Sequence, residues 1–100
     1  RVRSSAASDV YKRQEKWLRE KIQQLGGVAM KFTSPGNDGV PDRIAILPGG
    51  QVWFIELKKD GEVPTKIQEW QIERLRKLGC NVAVIAGMKE ARAWIWEVIG

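Results

Sequence analysis

Two carboxylates and a lysine stand out as residues that together could do chemistry. Asp42 follows Pro41, while Glu56 and Lys58 lie two positions apart near the end of an apolar segment. Charged side chains are rarely placed in such a segment unless they are paired or hold a metal. Carboxylate oxygens suit Mg²⁺ or Mn²⁺, and a bound metal can polarise a phosphate and lower the pKa of a bound water. A neighbouring lysine can orient that water or offset charge on the phosphorus.

A predicted hairpin brings these side chains together. Residues 48–50, Pro-Gly-Gly, form a turn of hairpin length between two segments with the composition of strands. Because successive side chains of a strand alternate faces, Glu56 and Lys58 point to one side of the sheet and Leu57 to the other. Asp42, at the start of the first strand, then lies near the end of the second. Singly, an Asp after Pro is often a turn residue and a Glu-x-Lys often a solvated rim, but their conjunction favours a site.

Two further polar residues lie on apolar faces of predicted helices. Glu15 precedes Leu18 by three positions, and Gln68 precedes Ile72 by four, so each shares a face with apolar side chains. A carboxylate is costly there without a partner, and a metal site would supply one for Glu15. Gln68 could hydrogen-bond a site carboxylate, the attacking water or a phosphate. The alternatives are a helix-start acid favoured by the helix dipole and an ordinary boundary glutamine.

The elements that must position these residues follow the order α-β-β-β-α-β-α. The pattern predicts helices over 15–25, 64–78 and 89–98, and strands over 28–32, 43–47, 51–58 and 81–86. Glycines at 26–27 and 79 end the first two helices. The predicted fold class is therefore α/β, with a mixed central sheet flanked by helices.

Composition limits the chain to one small domain and excludes several kinds of catalysis. The 100 residues are 43% hydrophobic and 29% charged, as in ordinary folded chains. With no histidine, His-based zinc sites, Ser-His-Asp triads and histidine general bases are excluded. The single cysteine, Cys80, allows no internal disulfide, which fits a reducing cytoplasm. We expect Cys80 to be a small buried hydrophobe.

Residues 1–14 have a separate origin in our interpretation. Residues 4–14 resemble a translated transposase adapter from sequencing-library preparation, so we expect a non-native or disordered tail ahead of one domain over residues 15–100. That tail carries four basic residues and one acidic residue, which leaves +2 of the chain's net charge of +5 for the domain. The overall charge is thus weak support for a nucleic-acid partner. A native flexible basic arm is the alternative.

With these features in place, the chain resembles a known family, the VRR-NUC domain (virus-type replication-repair nuclease), in its minimal phage-type members. The likeness covers essentially all of residues 15–100. It is carried by the motifs EKWL (15–18), LGG (25–27), KFTSPG (31–36), GVPDR (39–43), PGG (48–50), FIELK (54–58), Gln68 and LRKLG (75–79).

The resemblance implies a PD-(D/E)XK restriction-endonuclease-like fold and phosphodiester hydrolysis dependent on Mg²⁺ or Mn²⁺. It implies that Asp42 and Glu56 are metal ligands, helped by the Leu57 backbone carbonyl, and that Lys58 is the catalytic lysine. It matches Glu15 and Gln68 to catalytic residues carried on helices, with Glu15 as a further candidate metal ligand. It also implies a homodimer that cuts branched DNA, such as four-way junctions or flaps, in replication, repair or recombination.

Residues that flank the predicted site are candidates for phosphate contacts, which position DNA without reading its sequence. They are Lys31, Ser34, Asn37, Arg43, Lys59 and Lys66. A solvated surface residue is the alternative for each. The five tryptophans are expected in the core or a dimer interface rather than as base-stacking platforms. Two other functions stay open: a non-catalytic DNA-binding or assembly module with this fold, and a restriction-type nuclease with sequence preference.

Overall fold

The computed structural model describes the backbone of residues 2–99 and the side chains of residues 9–99. Its elements are α1 (Val2–Gln24), β1 (Val28–Lys31), β2 (Arg43–Leu47), β3 (Gln51–Lys58), α2 (Lys66–Lys77), β4 (Asn81–Ala86) and α3 (Gly87–Ile99). The predicted α/β fold and the element order α-β-β-β-α-β-α are confirmed.

Helix α1 is the element whose predicted bounds are wrong by more than two residues, since it begins at Val2 rather than Glu15. The cause is local: residues 2–14 contain neither proline nor glycine, so nothing in that stretch interrupts a helix. The adapter-derived origin of residues 1–14 stays a prediction.

The four strands form one mixed sheet in the order β1-β2-β3-β4. Strands β1, β2 and β3 pair antiparallel, and β3 pairs parallel with β4 after the α2 crossover. The hairpin between β2 and β3 closes as predicted, with the Gly50 amide donating to the Leu47 carbonyl at 3.1 Å. Since Arg43 pairs with Ile55 in this register, Asp42 lies beside Glu56 across the hairpin.

The two faces of the sheet have different partners. Alternate side chains from β2, β3 and β4 join α1 and α3 in the hydrophobic core: Leu18, Ile22, Ala45, Leu47, Ile55, Leu57, Ala83, Ile85, Ala91, Trp94 and Ile95. Leu57 is therefore on the core side, and Glu56 and Lys58 are on the opposite face, where Gln68 of α2 meets Glu56.

A glycine sets how closely α1 lies on the sheet. A Cβ atom at Gly27 would sit 2.5 Å from the Ile46 carbonyl oxygen, so only glycine fits this approach. The preceding Gly26 has φ +89°, a left-handed conformation that ends the helix. The exit of α1 is thereby fixed against β2.

The tryptophans divide between the core and the surface. Trp94 is buried, and Trp17 and Trp53 pack against the core, which is one of the two expected locations. Trp70 and Trp96 are 58% and 75% exposed, because they lie on helix faces turned away from the sheet, and a dimer interface for them stays a prediction. Cys80 is half-buried rather than fully buried. Among the described residues, no helix is long and apolar enough to cross a membrane.

Candidate active site

The carboxylates of Asp42 and Glu56 meet where β2 begins and β3 ends. The Asp42 Oδ1 atom accepts a hydrogen bond from the Leu57 amide at 3.3 Å, which fixes the Asp42 side chain against β3. Glu56 is buried, with only 3% of its surface exposed. Two carboxyl groups therefore share one corner of the sheet, and a cation there would favour the ionised form of both.

The two oxygens of the Glu56 carboxylate have unequal surroundings. Oε2 lies 3.7 Å from the Lys58 Nζ atom and accepts a hydrogen bond from the Gln68 amide at 3.1 Å. Oε1 is buried and has no hydrogen-bond partner among the residues that the structure describes. A buried carboxylate oxygen without a partner is costly, and a cation that bound to it would remove that cost.

Burial and charge raise the pKa of Glu56. Loss of solvation is the larger cause and the nearby Asp42 charge the second, while Lys58 opposes both, and the pKa rises from 4.5 to about 7. A positive ion beside Oε1 would reverse this shift, because it favours the ionised carboxylate.

Helix α2 delivers Gln68 to Glu56 through its own cap. Thr65 caps the helix, and its hydroxyl accepts from the Gln68 amide N–H at 3.3 Å. The Gln68 side-chain oxygen in turn accepts from the Thr65 amide at 2.8 Å, which leaves the side-chain NH₂ group free to bind Glu56. The capping box thus fixes which end of the Gln68 amide faces the site.

Helix α1 reaches the site through residues that sequence reasoning missed. The Tyr11 hydroxyl donates to Asp42 Oδ2 at 3.1 Å, and the Gln14 amide donates to the Lys58 carbonyl at 2.6 Å. Loss of solvation, together with the Asp42 charge, raises the pKa of Tyr11 to about 12. Both residues lie in the stretch interpreted as a tail, so the sequence analysis did not consider them. The sequence did carry a signal for Gln14, because this residue precedes Leu18 by four positions and therefore lies on the same face of the helix.

Glu15 is not brought to the two carboxylates. Its Oε2 atom lies 3.2 Å from Arg19 Nε and 3.7 Å from Arg43 Nε, so it forms an ion-pair cluster beside β1. Tyr11, one helical turn earlier on α1, occupies the position next to Asp42 instead. The structure therefore joins Asp42, Glu56, Lys58 and Gln68, and leaves Glu15 outside that group.

Comparisons with known proteins identify the family of the chain. No family model matches the chain. A protein of Acyrthosiphon pisum secondary endosymbiont phage 1, named "Putative nuclease p44", is 46% identical over 71 residues, which cover 71% of this chain and 76% of the relative. A solved structure named as a VRR_NUC domain has a TM-score of 0.81 and 38% identity, and the match covers 85% of this chain and 92% of that one. The chain belongs to the VRR-NUC nuclease family.

A second solved structure, of a VRR_NUC domain protein, supports the fold alone. Its TM-score is 0.67 at 20% identity, over 88% of this chain and 86% of that one.

The donor atoms of this VRR-NUC site fit a small divalent cation. Among the described residues, no three Asp, Glu, Cys or His side chains come close enough to hold a metal by themselves. Magnesium needs only one or two carboxylates, since it keeps several waters in its octahedral shell. Asp42 and the unpartnered Oε1 of Glu56 meet that requirement, and the predicted Leu57 carbonyl would add a backbone oxygen.

The candidate DNA-contact residues of this VRR-NUC domain differ in their exposure and in the contacts that they already make within the chain. Lys31, Asn37 and Lys66 are exposed, and Ser34 and Lys59 are half-buried. Asn37 is bonded to Ser34, its side-chain amide donating to the Ser34 hydroxyl at 2.9 Å. Arg43 is engaged with Glu15 and also donates to the Asp42 carbonyl at 3.2 Å, so it serves the local structure first.

Proposed function

We propose that this VRR-NUC domain is a metal-dependent endonuclease that hydrolyses phosphodiester bonds in DNA, with Mg²⁺ or Mn²⁺ held by Asp42, Glu56 and the Leu57 carbonyl. The observation that carries the proposal is the Glu56 carboxylate. One of its oxygens is bound by Lys58 and Gln68, and the other is buried without a partner among the residues that the structure describes. Burial and the Asp42 charge raise the pKa of Glu56 to about 7, and a bound cation would oppose both effects by favouring the ionised carboxylate.

The chain's own residues supply positioning and charge. A bound divalent metal would contribute Lewis acidity toward the scissile phosphate and a lowered pKa for a bound water. Lys58, beside Glu56, offsets negative charge that develops on the phosphate oxygens or orients the attacking water. Gln68 holds Glu56 Oε2 in place, so that Oε1 points to a fixed position.

The proposed substrate is branched DNA, such as a four-way junction or a flap, and the proposed assembly is a homodimer. Both come from the family resemblance. Two exposed tryptophans, Trp70 and Trp96, support the dimer because they offer apolar surface for a second copy. Cutting two strands of a junction also requires two active sites or two successive binding events.

A substrate panel tests the activity and its preference together. The purified chain is incubated with Mn²⁺ or Mg²⁺ and a four-way junction, a 5′ flap or a linear duplex of unrelated sequence. We expect cleavage of the branched substrates, at positions set by the branch. Cleavage of duplex at one recurring sequence would favour the restriction-type alternative. No cleavage of any substrate by folded protein would favour the non-catalytic binding module.

Substitutions at the site complete the panel. Asp42→Asn and Lys58→Ala should each lower the cleavage rate by at least about a hundredfold, the effect typical of a lost transition-state contact. The matched control is Asp60→Asn, since Asp60 is an exposed acid close to the site in sequence but makes no hydrogen bond to Glu56 or Asp42. Retained cleavage in Asp42→Asn would contradict the assignment.

A further inference from the structure

Helix α2 touches the loop that leads into Asp42 through a buried glutamine, Gln71. This residue is 4% exposed, and its side-chain amide donates to the Asp38 carbonyl at 2.9 Å. It neighbours the buried Ile72 on the inward side of the helix. A buried amide is costly unless it is hydrogen-bonded, so this contact holds the loop against α2.

A glycine next to Asp38 brings the loop backbone directly onto the helix. Gly39 has φ +84°, and a Cβ atom there would lie 2.9 Å from the Ile67 carbonyl carbon and oxygen. No other residue fits this approach without displacing the first turn of α2. Pro41, which follows, is among the fully buried side chains. The segment between Asp38 and Asp42 therefore has little conformational freedom, because Gly39 packs against α2 at one end and Pro41 is buried at the other.

Helix α2 thus contacts both carboxylate-bearing elements from adjacent turns. Gln68 binds Glu56 at the end of β3, and Gln71 binds the loop that ends at Asp42. The relative position of the two carboxylates depends on both contacts, although the β2–β3 ladder sets their register. We infer that Gln71 is a positioning residue for the proposed metal site, acting on Asp42 through the docked segment 38–41. This inference rests on the proposed function.

The test measures Mn²⁺ binding by calorimetry, on the whole chain without DNA. Gln71→Met keeps the length of the side chain but cannot donate to Asp38. We expect it to bind Mn²⁺ about tenfold more weakly, the loss typical when a partner that orients a metal ligand is removed. The control is Ile72→Val, which removes one methyl group from the neighbouring buried position on α2 and leaves the loop contact intact. It should bind Mn²⁺ like the native chain.

A second readout separates positioning from general loosening of the fold. On a four-way junction, Gln71→Met should lower kcat while leaving KM close to native, since the metal site rather than DNA binding is affected. Native Mn²⁺ affinity in Gln71→Met would overturn the inference, and so would an equal loss in Ile72→Val. Absence of Mn²⁺ binding by the native chain would overturn both this inference and the proposed metal dependence. If the native chain binds Mn²⁺ and Gln71→Met binds it equally well, only the inference fails, so the two failures are distinguishable.

Discussion

The carboxylate of Glu56 is solvated on neither oxygen. Oε2 is bound by Lys58 and Gln68, whereas Oε1 faces no donor among the described residues. An ionised carboxylate in such a place raises the free energy of the folded state, and its pKa of about 7 expresses that cost. A divalent cation beside Oε1 would remove the cost, so the same residue links stability, pH and metal binding.

The first prediction concerns the pH dependence of stability without metal. The pKa of Glu56 is 4.5 in the unfolded chain and about 7 in the folded one, so the folded state binds the proton more tightly. The contribution of Glu56 to stability is therefore most favourable below pH 4.5 and is lost as the pH rises to about 7. Urea denaturation in EDTA should show that the free energy of unfolding decreases more between pH 5 and pH 8 for the native chain than for Glu56→Gln. Equal decreases in both would contradict the assigned pKa.

Contacts between individual residues could be predicted from the sequence where they depend on a single strand and a single turn. Glu56 and Lys58 share a face because strand side chains alternate, and Asp42 joins them because the Pro-Gly-Gly turn leaves one possible hairpin. The environment of Glu15 was not predictable in this way. Its partner Arg43 comes from another element, and which turn of α1 faces Asp42 depends on the angle at which the helix packs.

Element boundaries followed the sequence closely where a residue type enforces them. Glycines end α1 and α2, and Thr65 with Gln68 starts α2, so these ends were predicted within two residues. The start of α1 had no such residue and was placed too late. Contacts between elements, such as that of Gln71 with Asp38, are non-local and leave no pattern along the chain.

At the scale of helix α2, the second prediction concerns its cap. Thr65→Ala removes the hydroxyl that accepts from the Gln68 amide, which should lower the free energy of unfolding by about 1 kcal/mol. Cleavage of a four-way junction should also slow, because the helix turn that aims Gln68 at Glu56 is loosened. Thr65→Ser keeps the hydroxyl and is the matched variant. Urea denaturation and cleavage rates that were identical in Thr65→Ala and Thr65→Ser would argue against a role for the cap.

At the scale of the whole molecule, charge and apolar surface are distributed unevenly. Trp70 lies on the outer face of α2 with the Arg74 guanidinium 5.4 Å from its ring centroid. Trp96 lies on α3 near Trp17, whose ring has both Lys21 and Arg92 within 6 Å. The exposed ring of Trp70, with Arg74 beside it, and the exposed ring of Trp96 offer apolar surface of the kind found at interfaces.

The third prediction is the assembly state. A homodimer should give twice the mass of the chain by light scattering at micromolar concentration. Replacing a tryptophan that lies in the interface should make the chain monomeric. Trp70→Ser and Trp96→Ser are therefore compared, and each variant serves as the control for the other. Apolar burial drives such association, hence one of the two variants should dissociate. A monomeric native chain at that concentration would rule out the proposed dimer.

In the proposed mechanism, Asp42 and Glu56 hold a divalent metal without which the chain does not cut DNA. This is tested by following cleavage of a four-way junction after EDTA treatment and again after titration with Mn²⁺, for the native chain and for Glu56→Gln. We expect native cleavage to stop in EDTA and to return with Mn²⁺, while folded Glu56→Gln stays inactive at every Mn²⁺ concentration. Cleavage by the native chain in EDTA, or by Glu56→Gln at the native rate, would contradict it.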